Sequence, residues 1–274
     1  MLCNITDEEI FAVKYYLGDP DAAGNDTEAY NTINALLHPG TANEADKAAE
    51  GRYFGLSGPE ELRKYLSIAE LVFRAAEKYR AQKRSSVRRA YRIDRKSSFE
   101  RFLGNGGKIA GFFSSCSWGF LPEYAAKKKD IVLIESAFDE SLPFIDLAEL
   151  LKDRYAKPEE AEILIPFGTR IVSTEAQEMG AEEQEKYRDM AGNLPAGKYL
   201  LRLTRGEYQR LPQETEDALY AEITDEFSVG LASVIMEEIR SGADLSEAQR
   251  IFYCSWKEKV ISYVNSRAAA ALDN

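Results

Sequence analysis

In the N-terminal third of the chain, apolar positions recur at helical spacing. Residues 6–17 predict a short amphipathic helix, with Asp7, Glu8 and Glu9 in the first turn, where negative charge suits the helix dipole. Gly18-Asp19-Pro20-Asp21 breaks it. Residues 27–37 predict a second helix through Tyr30, Ile33, Ala35, Leu36 and Leu37, ended by His38-Pro39-Gly40. After a polar loop over 41–58, Pro59 opens a long helix to residue 82, with Leu62, Leu66, Ala69, Leu71, Phe73, Ala76 and Tyr79 giving the helical periodicity. From Ser86 the period shortens towards two, predicting strands over 87–93, 108–115, 130–137, 162–172 (one strand with room for a second) and 198–204. Short helices are expected at 123–128, 144–155 and 181–191, and residues 214–272 return to helix with a break near Ser241-Gly242. Helices first and strands afterwards, without βαβ alternation, read as α+β.

The 274 residues are 45% hydrophobic, enough for one sizeable core or for a core with an appendage. A formal net charge of −11 argues against nucleic acid as a partner, because phosphates would be repelled. The basic run 83–95 is the local exception. Neither a membrane-length apolar stretch nor a basic-then-apolar leader is present, so a cytoplasmic protein, or one exported without an N-terminal signal peptide, is expected. Cys3, Cys116 and Cys254 lack metal-ligand spacing, and an odd count makes a poor disulfide framework. His38 is the one histidine, which removes most metal and Ser-His chemistry, and its place in a last helical turn fits a dipole partner better than catalysis.

Three strand-associated features carry candidate chemistry. Glu160 and Glu162 stand two apart before the apolar run Ile163-Leu164-Ile165, and a strand would turn both to one face. Two neighbouring carboxylates repel unless a cation or a cationic transition state lies between them. The bland alternative is a solvated acidic loop. Arg92 sits within an apolar-flanked strand, where it needs a carboxylate partner or a phosphate to grip. Gly111-Phe112-Phe113-Ser114-Ser115-Cys116-Ser117 ends a strand in hydroxyl residues, which without a histidine base are suited to hydrogen bonding rather than to nucleophilic attack. A carboxylate metal site from Glu135, Glu160 and Glu162 lacks the helical ligand spacing that would support it.

In this order, Tyr91-Arg92, then the serines, then Glu160-Ala161-Glu162-Ile163-Leu164-Ile165-Pro166-Phe167-Gly168-Thr169, the sequence resembles the ADP-ribosyltransferases of the Arg–Ser–Glu class, the bacterial mono-ADP-ribosylating toxins and vertebrate ecto-enzymes. The resemblance runs from about Tyr30 to about Arg205, with Ile33-Asn34-Ala35-Leu36-Leu37 as the early helix and Asp130-Ile131-Val132-Leu133-Ile134-Glu135 as an intervening strand. It implies a catalytic domain over 1–207, built on two small, mainly antiparallel sheets, and a helical extension over 208–274 that packs on it or serves interaction. It further implies NAD as substrate, no metal, and transfer of ADP-ribose to an acceptor, with protein arginine preferred because the earlier position is Glu160. Some NAD hydrolysis is implied as well. By the same carry-over, Arg92 grips the phosphates, with Tyr91 and Ile93 flanking the dinucleotide. Ser114 holds the catalytic Glu162, with Ser115 as the alternate, Glu160 orients or deprotonates the acceptor, and Tyr155 meets the substrate protein.

Two departures stand against the pattern. Ile93 occupies a position where the family often has glycine, and the serine motif fits either Ser114-Ser115-Cys116 or Ser115-Cys116-Ser117. Both departures also suit a catalytically silent binding module, the competing expectation, against which the retained Arg92 and Glu162 weigh. The connection between Arg92 and the serines reads as trimmed.

Overall fold

Thr6 and Glu9 close a reciprocal cap: the Glu9 backbone N–H donates to Thr6 Oγ1 (3.2 Å), and the Thr6 N–H donates to Glu9 Oε2 (2.8 Å). The helix they start is α1 (Asp7–Tyr16). The computed structural model describes residues 4–37, 56, 58–82, 88–104, 108–109, 113–116, 130–138, 142–152, 161–188, 192–206, 210–241 and 243–270. These fall into two compact units. Ile5–Ala75 joins Glu207–Asn274 in one, and Ala76–Gly206 with Met1–Asn4 forms the other. The N-terminal helices thus group with the C-terminal tail.

In the helical unit, α1 is followed by α2 (Pro20–Ala23), α3 (Ala29–Leu37) and α4 (Pro59–Gln82), whose last turns belong to the sheet unit. The tail breaks twice, giving α8 (Gln213–Thr224), α9 (Glu226–Arg240) and α10 (Glu247–Ala270). Tyr253, Trp256, Val260 and Val264 recur at helical spacing on α10 and are all buried. Asp26 ties the N-terminal part together: its Oδ2 accepts from Tyr15 (2.6 Å) and Tyr65 (2.9 Å). Lys64 Nζ stands 3.6 Å from the same oxygen and lies over both rings.

Burial, then the Asp26 hydrogen bond, hold both phenols well above the ordinary tyrosine value of 10.0. A raised folded-state pKa contributes stability that is complete below the unfolded value and is lost as pH rises through the folded one. The melting temperature is thus expected to fall above about pH 10, and Tyr65→Phe to flatten that fall while costing about 1 kcal/mol at neutral pH. Thermal melts from pH 8 to 11 decide it; equal alkaline slopes in both proteins would exclude Asp26's two phenols as the cause.

The sheet unit contains β1 (Arg88–Arg95), α5 (Lys96–Gly104), β2 (Lys108–Ile109), β3 (Phe113–Cys116), β4 (Ile131–Phe138), β5 (Ile145–Asp146), α6 (Leu147–Leu151), β6 (Glu162–Ile165), β7 (Thr169–Gln177), α7 (Ala181–Lys186) and β8 (Lys198–Thr204). The strand order is β2-β7-β8-β4-β1-β3-β6-β5. All pairs are antiparallel except β4 with β8. The molecule is α+β, as the pattern predicts. Its strands form a group of five and a group of three, joined among the described residues by the pair Tyr91↔Cys116. β4 lies in the larger group with both faces covered, which explains its unbroken apolar run Ile131-Val132-Leu133-Ile134.

Two local expectations give way. The run 108–115 is two strands: Lys108–Ile109 pairs with β7, whereas Phe113–Cys116 pairs with β6, at the opposite side of the sheet order. Periodicity cannot see this, since it reports facing and not partners. The expected helix over 144–155 begins later, because Ile145 and Asp146 pair with Leu164 and Ile163, and Asp146 then caps α6 by accepting from the Glu149 N–H (3.0 Å). The link after Arg92, expected to be trimmed, holds a short helix, α5, whose Phe99 packs edge-on against Tyr199 at 5.0 Å while Glu100 accepts from the Tyr199 hydroxyl. The expected helix at 123–128 and His38 lie outside the described residues.

Candidate functional site

Residues 91–92, 114–116 and 162 are far apart in sequence, and the sheet makes their strands neighbours in the order β1-β3-β6. Their backbone register is defined. Tyr91 pairs with Cys116, and Cys116 pairs with Glu162, so one row crosses all three strands. Adjacent strands are about 4.8 Å apart, which sets Tyr91 and Glu162 at about 10 Å across the row. Ser114 pairs with Leu164 and Ser115 with Ile163. The backbone position of Ser114 thus has the parity of Glu162, and that of Ser115 the opposite parity.

Glu162 opens β6 and is half-buried, followed by the buried Ile163-Leu164-Ile165. The residue before it, Ala161, has φ 44°, in the left-handed region that an alanine enters only at a cost. The described strand begins at Glu162, so the expectation that Glu160 and Glu162 face one way falls in part on a residue outside the described ones. Glu160 and Tyr155 lie outside the described residues. At the far end of β6, Gly168 takes φ 77° and Thr169 Oγ1 donates to the Pro166 carbonyl (2.8 Å), the tight turn that the sequence announces.

Arg92 pairs with Ile134 of β4, opposite in parity to Tyr91. Its Nε lies 3.5 Å from Asp94 Oδ2, so the carboxylate partner weighed from sequence is present, two residues on along the same strand. Sequence reasoning passed over Asp94, although opposite charges at i and i+2 of a strand share a face and were the available signal. Tyr91 and Ile93 are partly buried against the cluster of Leu133, Met179 and Tyr187, and the Tyr91 ring stacks on Tyr187 at 6.4 Å. A side chain that packs there accounts for an isoleucine at position 93.

Next to Tyr91 in the same row stands Glu135, which is buried. Arg89 Nη1 donates to it at 2.8 Å, and Lys198 Nζ lies 3.5 Å away. Lys198 also donates to Glu183 (2.9 Å), a hydrogen bond that holds the ammonium above the ordinary lysine pKa. Glu135 is thus neutralised by two cations and is not disposed to act as a metal ligand, which removes it from the carboxylate trio considered above. No group of three or more metal-ligating side chains occurs among the described residues. Among the described residues no helix is long and apolar enough to cross a membrane.

Neither the protein-family models nor the curated proteins contain a match to this chain. Among solved structures it is similar to the ADP-ribosylating toxin BECa of a binary enterotoxin from C. perfringens, determined with NADH, at 16% identity and a TM-score of 0.44. That likeness covers 74% of this chain and 44% of the toxin chain, so the present chain spans less than half of that neighbour's length. It is also similar to Vis toxin, an ADP-ribosyltransferase from Vibrio splendidus, at 17% identity and a TM-score of 0.35, covering 75% of this chain and 76% of that one.

Proposed function

We propose that this protein is an NAD-dependent mono-ADP-ribosyltransferase that transfers ADP-ribose to a protein arginine, with hydrolysis of NAD as the side reaction. The observation that carries the reading is the row Tyr91–Cys116–Glu162: three motifs separated by tens of residues in sequence meet on three adjacent strands. Nothing in local helix or strand chemistry requires that meeting, and a shared ligand site gives it a purpose.

In this reading Arg92, of opposite parity to the row but next to the Tyr91↔Cys116 pair at which β1 and β3 meet among the described residues, holds the phosphates of NAD, for which a planar guanidinium is suited. The bond between nicotinamide and ribose C1′ breaks with its electron pair leaving on the nicotinamide nitrogen, and positive charge develops on the ribose. Glu162 accepts from the ribose 2′-hydroxyl and stabilises that charge. Ser114, on the parity of Glu162, holds the carboxylate in place. An acceptor nitrogen then bonds to C1′ and loses its proton to Glu160. When water takes the acceptor's place, the products are ADP-ribose and nicotinamide. The sheet unit carries the chemistry in this reading, and the tail serves docking or interaction.

A binding module without catalysis is the second reading, and the packing of Ile93 and Tyr91 against the Leu133 cluster favours it, since it partly buries those side chains. NAD titration of the wild type and of Arg92→Ala separates the strands of the proposal. The variant is expected to bind NAD at least about tenfold more weakly, as loss of a charge-assisted contact implies, with an unchanged circular dichroism spectrum. Equal affinity in the two proteins would take Arg92 out of the site.

A further inference from the structure

We infer that Asp94 is a positioning residue that fixes the guanidinium of Arg92 for phosphate binding, an inference resting on the NAD reading above. The geometry is specific to the Asp94 carboxylate. Its Oδ1 accepts from the Arg95 backbone N–H at 2.7 Å, which ties the carboxylate to its own strand. Its Oδ2 stands 3.5 Å from Arg92 Nε. Both oxygens therefore have work, one anchoring the group to the backbone and the other facing the arginine.

The pair is also poised rather than buried. The Arg92 and Asp94 side chains are 35% and 25% exposed, so neither is locked in the core and both reach solvent where a dinucleotide could arrive. An arginine binds phosphate through a rigid planar fork, and holding Nε sets the plane of that fork. Ordering a long side chain only upon binding weakens affinity. Asp94 supplies that order beforehand. Period-two alternation makes the contact a property of the strand itself, since residues 92 and 94 share one face of β1.

The test is NAD titration and steady-state nicotinamide release with Asp94→Ala and Asp94→Asn. Asp94→Ala is expected to raise Kd and KM for NAD by about tenfold, the scale of one side chain ordered on binding, with kcat within about twofold. Asp94→Asn keeps an oxygen acceptor towards Nε and is expected to restore KM to within about threefold of wild type. The Arg92 Nε–H resonance, identified by its loss in Arg92→Lys, is expected to be sharp in the wild type and broadened in Asp94→Ala, a readout independent of NAD. If Asp94→Ala binds NAD as tightly as the wild type, or more tightly, Asp94 does not position Arg92 and the inference falls while the transferase reading stands. A wild type that binds no NAD overturns both together.

Discussion

Glu162→Gln is expected to lower nicotinamide release from NAD by roughly a thousandfold, the scale on which enzymes lose rate when one preorganised transition-state contact is removed. The substitution keeps shape and volume. The β6 backbone pairs with Cys116 at this position whatever the side chain, so strand and fold are expected to persist. What disappears is the negative charge that faces the developing ribosyl cation, and an amide cannot replace it. Free nicotinamide, followed chromatographically for both proteins, gives the answer. A variant retaining more than about a tenth of wild-type release would remove Glu162 from the chemistry.

Glu160→Gln is expected to divide the two activities. Transfer to a small guanidine acceptor should fall about a hundredfold, the usual weight of a general base, while NAD hydrolysis keeps most of its rate. The chemistry gives the reason: a guanidinium is protonated at any physiological pH and must lose a proton as it bonds to C1′, whereas water is present in excess and less dependent on that base. Measured side by side with labelled NAD, equal losses of transfer and hydrolysis would sink the acceptor role of Glu160.

The elements that depend on local chemistry were legible from the residues. The long helix Pro59–Gln82 and the strand Lys198–Thr204 fall where periodicity, Pro59 and flanking turn residues put them. The turn after β6 likewise follows from Pro166 and Gly168. The order Arg92, serines, Glu162 was readable in the same way, as a string of residue types. Misreadings arose where a partner outweighed local preference. Ile145 and Asp146 sit at the head of a helical pattern yet form a strand, because β6 offers their backbone a ladder. The run 108–115 alternates like one strand yet serves two partners. The packing of Tyr91 and Ile93 against Leu133, Met179 and Tyr187 was likewise not legible, because it joins residues that no sequence window spans.

The sequence by itself determined that this chain is α+β, that its charge is acidic, and which residue types could carry chemistry, because propensity, period and charge are properties of short windows. Only the tertiary structure decided that β3 lies between β1 and β6, that Cys116 and not Ser115 shares the row of Tyr91 and Glu162, and that Glu135 is held by Arg89 and Lys198. Each of these is a matter of strand order and register, set by which distant surfaces must be buried together.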